Sequence, residues 1–148
     1  MFNVFKKSPL LEFDIPGIGI FYQLKHPKHV FWSKTTDIFS IGQEVSLNID
    51  TFNNTEPSSE QVLSIQVLTK QYDSIIEMVF YYLMEGDESS NVTIENFKQL
   101  YSLVKIELDA NNTRWTYTFE PHYDMRGPYS YFVVIIIDKG KIVDYYET

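Results

Sequence analysis

The chain has 148 residues, a formal net charge of −8, no cysteine, and a 16% aromatic share made up mostly of tyrosine and phenylalanine. That length suits one domain over 1–148, large enough to bury about 70% of its unfolded surface. The missing cysteine excludes disulfides, thiol catalysis and thiolate metal sites, and the acidic balance argues against non-specific nucleic-acid binding.

The charge is uneven. Residues 1–34 hold five basic and two acidic residues, net +3, whereas 35–148 hold seven basic and eighteen acidic ones, net −11. A basic protein partner would be attracted to the second region. The apolar run 131–137 is too short to cross a bilayer, and the lysines of 1–7 are not followed by the apolar stretch of a signal peptide. No membrane association is expected, and the location expected is cytoplasmic.

In chain order, Leu11, Phe13 and Ile15 alternate with Glu12 and Asp14, the period of a half-buried strand. Pro16-Gly17 suits the central pair of a type II turn, so a hairpin leads into a strand over 20–25. His26-Pro27-Lys28-His29 is the next turn, 30–33 the next short strand, and 35–42 a loop. Val45, Leu47 and Ile49 then alternate with Ser46, Asn48 and Asp50 as a further strand.

Residues 58–85 carry the long helical period. Val62, Ile65, Tyr72, Ile76, Val79 and Leu83 fall on one face, widened by Leu68 and Ile75; Glu60, Gln66, Lys70, Asp73 and Glu77 fall on the other. Ser58 and Gln61 have capping-box spacing, Thr55 can also cap, Pro57 suits the first turn, and Gly86 is a good terminator. One unbroken helix here would be roughly 40 Å long. Burying its best apolar side chains contributes on the order of 10–15 kcal/mol before entropy is subtracted, so the face needs a sheet beneath it.

The stretch 85–91 is acidic and serine-rich, a loop. Thr93 caps a short helical turn over 93–101, with Ile94, Phe97 and Leu100 or Tyr101 inward. Four strand-like runs follow. Val104, Ile106 and Leu108 alternate with charged residues, and Trp115, Tyr117 and Phe119 do so after an Asn-rich turn. The run 131–137 is apolar throughout, which suits a strand covered on both faces, and a tight turn at 138–141 leads into 142–146. The fold class expected is α+β. An antiparallel sheet of N-terminal hairpins plus a C-terminal four-strand meander packs against one long helix (58–85) and the short helical turn (93–101).

Candidate sites are few. His26 and His29, with His122 or Asp124, would need three side chains to converge on a zinc ion. Two histidines in a hairpin turn read instead as exposed turn residues, so neither a metal nor a cofactor is expected. The run 120–130, EPHYDMRGPYS, is longer than a hairpin requires. It concentrates His122, Tyr123, Asp124, Arg126 and Tyr129. His122 with Asp124 could act as a base and its orienting group, but no serine lies in a G-x-S-x-G context. Tyrosine and arginine dominate interface hot spots, so this loop is a candidate protein contact. Glu85, Asp87 and Glu88, beside Ser89 and Ser90, could meet a cation or a basic partner, although their spacing does not match an EF-hand. Gly17 and Gly19 precede no helix, so the dinucleotide reading fails.

The run GIGIFYQLKHPKHVFWSK, then VSLNID, the capped PSSEQ helix start and the terminal strand meander carry a resemblance over residues 11–85. The chain resembles small bacterial domains of unknown function, some of which occur among immunity proteins that neutralise polymorphic or contact-delivered toxins. The resemblance implies a stoichiometric binder that blocks a toxin, and no catalytic residues. A non-enzymatic protein-binding module, an immunity-type inhibitor of a cognate basic toxin, is therefore the expected function. The alternatives are a small metal-dependent or His/Asp hydrolase and a structural or oligomerising subunit.

Overall fold

A computed structural model describes residues 10–84, 93–122 and 131–148. Eight strands lie side by side in chain order: β1 (Glu12–Ile15), β2 (Gly19–His26), β3 (His29–Thr36), β4 (Val45–Asp50), β5 (Tyr101–Leu108), β6 (Arg114–Pro121), β7 (Val133–Asp138) and β8 (Lys141–Glu147). The class is α+β, and the N-terminal hairpins extend the same sheet that carries the C-terminal meander. Neighbours are antiparallel except for β4 and β5, which are parallel, with Leu47 opposite Ile106 and Ile49 opposite Leu108. A parallel pair needs a crossover connection. Here it contains the helices α1 (Ser59–Leu68), α2 (Tyr72–Met84) and α3 (Ile94–Leu100).

The local signals explain most of this. Gly17 takes φ +84° in the first turn, and Ile18 N–H donates to the Ile15 carbonyl at 2.9 Å, closing the expected tight turn. The last hairpin turns on Lys139 and Gly140, both at positive φ, the combination that matches strand twist. Ser58 and Gln61 form the reciprocal capping box: Gln61 N–H donates to Ser58 Oγ at 3.1 Å, and Ser58 N–H to Gln61 Oε1 at 3.0 Å.

The single long helix is replaced by two. The chain leaves α-helical geometry after Leu68. Lys70 and Gln71 N–H groups donate three residues back, to the Val67 and Leu68 carbonyls, and Thr69 Oγ1 donates to the Gln66 carbonyl. Such back-bonding by a threonine hydroxyl competes with the helical ladder. Length supplies the larger reason. Strands β3 to β7, six to eight residues each, run roughly 20–27 Å, so a helix of roughly 40 Å would project beyond them. Broken at 69–71, the two halves bury Gln61, Ile65 and Leu68 from α1, and Ile75, Ile76, Val79 and Phe80 from α2.

Two strand readings also shift. A bulge between Leu103 and Lys105 changes the phase of β5, so Tyr101, Leu103, Ile106 and Leu108 are buried while Val104 is only half-buried. In β7 the helix-side row is Val133, Ile135 and Ile137. Val134, on the other face, is buried beside its register partners Thr118 and Tyr146, and Ile136 is half-buried. The loop after β3 is also less solvated than its sequence suggests: Ile38 and Phe39 are buried, and Phe39 lies 5.1 Å from the Tyr72 ring. Asp37 holds that loop closed by accepting from Ile41 N–H at 2.9 Å and Gly42 N–H at 2.8 Å.

A candidate partner-binding end of the sheet

Gln61 is 1% exposed, and both its amide nitrogen and its carbonyl oxygen have hydrogen-bond partners. Its amide nitrogen donates to the Asp50 carbonyl at 2.7 Å, at the end of β4, and to the Asp109 carbonyl at 2.9 Å, just past β5. One side chain thus fastens the start of α1 to both members of the parallel pair. Trp32 is anchored in the same way, its indole N–H donating to the Thr55 carbonyl at 2.9 Å. In both, the side-chain donors are taken up by backbone carbonyls, which marks them as structural.

The other end of the sheet differs. Register pairing places Tyr101, Pro121, Val133 and Glu147 at one end of β5 to β8. The C-terminal half of α2 reaches the same end, with Phe80 5.9 Å from Phe97, and Tyr82 6.2 Å from Tyr145. Phe97 also meets Tyr101 and Phe119, so a buried aromatic cluster underlies this end. At this end Tyr81 is 65% exposed, and Tyr82 and Tyr131 are exposed as well, whereas Tyr146 is exposed on the other face of the sheet, opposite Val134. Glu77, Asp144 and Glu147 are exposed acids on the same two elements, α2 and β8. Lys98 is held by Asp73 at 3.7 Å and Glu95 at 3.9 Å.

Of the residues expected from sequence to meet a partner, His122 is placed at this end. Its backbone N–H donates to the Leu100 carbonyl at 2.8 Å, and its Nε2 is hydrogen-bonded to Ser102 Oγ on the neighbouring strand. Tyr123, Asp124, Arg126 and Tyr129, and likewise Glu85, Asp87 and Glu88, lie outside the described residues. The sequence reading missed Tyr81 and Tyr82. A signal was available: Tyr81 follows Glu77 by four and Asp73 by eight residues, on the face expected to be solvated, where a large aromatic side chain gains nothing from the core.

His26 and His29 are register partners across the β2–β3 turn, both exposed. His29 Nε2 meets Asp50 Oδ1 at 2.9 Å and its ring lies 5.2 Å from Phe31. In the sheet order β3 and β6 are three strand steps apart, roughly 14 Å, so these rings do not converge with His122. Among the described residues no three His, Asp or Glu side chains gather as a metal site. The Ser102–His122 contact joins a hydroxyl to a base, one part of a hydrolytic constellation. Among the described residues no carboxylate is hydrogen-bonded to that imidazole.

Compared with protein-family models, curated proteins and solved structures, the chain matches none. Among the described residues no helix is long and apolar enough to cross a membrane.

Proposed function

We propose that this protein is a non-enzymatic binding module that holds a basic protein partner against the end of the sheet where α2 meets β8, and that it acts as an immunity-type inhibitor of a cognate bacterial toxin in the cytoplasm. The observation that carries the reading is the set of exposed tyrosines, Tyr81, Tyr82 and Tyr131, beside exposed carboxylates on a chain of net charge −8. Tyrosine offers a large contact area with few rotatable bonds, which is why it recurs at interface hot spots. Carboxylates around it speed encounter with a cationic partner and exclude anionic ones. The toxin part of the reading draws on the sequence resemblance and the acidic balance. Co-expression with toxins encoded beside its gene tests it. Protection and a stoichiometric complex are expected, and protection should be lost when Tyr81 and Tyr82 are both changed to alanine. Neither protection nor complex formation with any such toxin would remove the reading.

The Ser102–His122 hydrogen bond favours hydrolysis as a second reading. Labelling of Ser102 by a fluorophosphonate, abolished in His122→Ala, would support it. An unlabelled protein would leave that contact as a cross-strand tether.

A further inference from the structure

The helix layer does not cover the whole sheet. Where the break at 69–71 separates α1 from α2, a cleft of about 490 Å³ remains between the start of α2 and the β6–β7 pair. Its volume lies in the range of small-molecule sites, roughly 300–1,000 Å³. Trp115 and Tyr117 line it, their ring planes 13° from parallel, and Ile75, Met78 and Ile137 add further apolar surface.

One buried polar atom at this cleft lacks a partner. Asn112 Oδ1 accepts no hydrogen bond among the described residues. Two other buried oxygens share that condition, but neither belongs to the cleft. Thr51 does not line it, and Asp138 stands on the other face of the sheet, paired with Arg114, whose guanidinium donates to its second oxygen at 3.1 Å. The turn that carries Asn112 does not need its side chain. Asn112 N–H donates to the Asp109 carbonyl at 3.1 Å, and the Asp109 carboxylate accepts from Thr113 N–H at 2.9 Å and Arg114 N–H at 3.0 Å. Lys139 N–H donates to the Thr113 carbonyl at 3.1 Å, fastening this turn to the next. The Asn112 amide is thus spare, on a backbone held in place. As a whole the residue is half-buried, so a turn about its last side-chain bond presents the oxygen to the cleft.

An unsatisfied oxygen calls for a donor, and charge narrows what can bring one. Among the described residues no aspartate or glutamate lines the cleft, although the chain has twenty, and its one charged side chain is Lys139. A cation would meet repulsion there and no counter-charge, and an anion would bring only acceptors. A neutral N–H remains, carried on a flat body that can lie against Trp115. Beside its oxygen the Asn112 amide also bears an N–H₂ donor. That pair matches an amino group next to a ring nitrogen, which is how asparagine reads adenine. From the cleft, its aromatic wall and the unpartnered Asn112 oxygen, we infer that it binds a neutral amino-substituted nitrogen heterocycle of the adenine type. The ring lies against Trp115, its amino group donates to Asn112 Oδ1, and a ring nitrogen accepts from Asn112 Nδ2. The inference is independent of the partner-binding reading, which concerns another end of the molecule.

The experiment titrates the intact protein with adenosine by calorimetry and by ¹H–¹⁵N correlation spectroscopy. Purine riboside, which has the same ring system and sugar without the amino group, is the control. Saturable one-to-one binding of adenosine should move the Trp115 indole signal. The Trp32 signal, whose N–H is held by the Thr55 carbonyl, should stay in place. Purine riboside should bind about tenfold more weakly, because it leaves the Asn112 oxygen unpaired. Asn112→Gly suits the left-handed backbone at this position, φ +58°, and removes the amide. It should weaken adenosine about tenfold and erase the preference over purine riboside. Ser74→Trp, at an exposed position of α2, should obstruct the cleft and abolish saturable binding. An unchanged far-UV circular dichroism spectrum is the folding check for both variants. No saturable binding of adenosine at millimolar concentration would overturn the inference and leave the oxygen to an ordered water. So would equal binding of purine riboside, affinity unchanged in Asn112→Gly, or binding that leaves the Trp115 signal fixed.

Discussion

The two halves of the crossover depart from a simple amphipathic pattern in opposite directions. In α1 a polar side chain, Gln61, points inward and is wholly satisfied by two backbone carbonyls and a cap. In α2 an aromatic side chain, Tyr81, points outward on a face otherwise occupied by Asp73, Ser74 and Glu77. An inward amide is affordable only where a fixed geometry supplies every partner, so it marks structure. An outward aromatic contributes little to folding, so it marks a contact to be made.

The largest expected effect lies on the α1 side. Gln61→Ala removes the donors to the Asp50 and Asp109 carbonyls and half of the capping box, and should lower unfolding free energy by about 2–4 kcal/mol. Urea denaturation measures this, and a change below 1 kcal/mol would mean that these bonds do not fasten the crossover. The contrast should invert in α2. Tyr81→Ala should change stability by no more than about 0.5 kcal/mol, while costing about 2 kcal/mol of affinity for the cognate partner. Equal losses of stability and affinity would erase the distinction between the two helices. A subtler change sharpens it further: Glu77→Lys should slow association severalfold at low salt and flatten its salt dependence, with dissociation nearly unchanged, as stopped-flow mixing would show.

The smallest effect concerns Asp37 and serves as a control outside both helices. Amide donors, Ile41 foremost, hold its carboxyl below the ordinary value of 3.8, against an opposing contribution from desolvation. A lowered folded pKa adds stability that is fully present above the unfolded value and lost as pH falls through the folded one. Wild type and Asp37→Asn should therefore differ most near neutral pH and converge in acid below about pH 4. A gap that widened in acid would contradict the loop geometry.

Much of the architecture was legible in the residues themselves. Strict alternation marked β4 and β6, Pro16-Gly17 marked the first turn, and Thr93 marked the start of α3, whose hydroxyl accepts from Asn96 N–H at 3.2 Å. What failed to show was equally specific. The stripe runs through Leu68, Tyr72, Ile75 and Ile76 without losing phase and without glycine or proline, so periodicity alone carried no sign of the break at 69–71. The β5 bulge was hidden because Leu103 and Val104 are both apolar, and either could have begun the inward row. Of the candidate contacts, His122 stands out by the chemistry of its own segment, whereas nothing in the residues around its partner Ser102, twenty positions earlier, points to it.

The local pattern by itself determined which stretches become strands or helices, where most of them start and turn, and that their apolar faces must meet. These depend on side chains within a few residues of one another, and short-range sterics and hydrogen bonding decide them. Only the tertiary structure decided that β4 and β5 run parallel, that the helix breaks to fit the sheet, and that Gln61 reaches a carbonyl 48 residues away. The meeting of Tyr82 on α2 with Tyr145 on β8 is of the same kind. Each is set by distances between segments remote in the chain, fixed when the sheet closes and absent from any window of neighbouring residues.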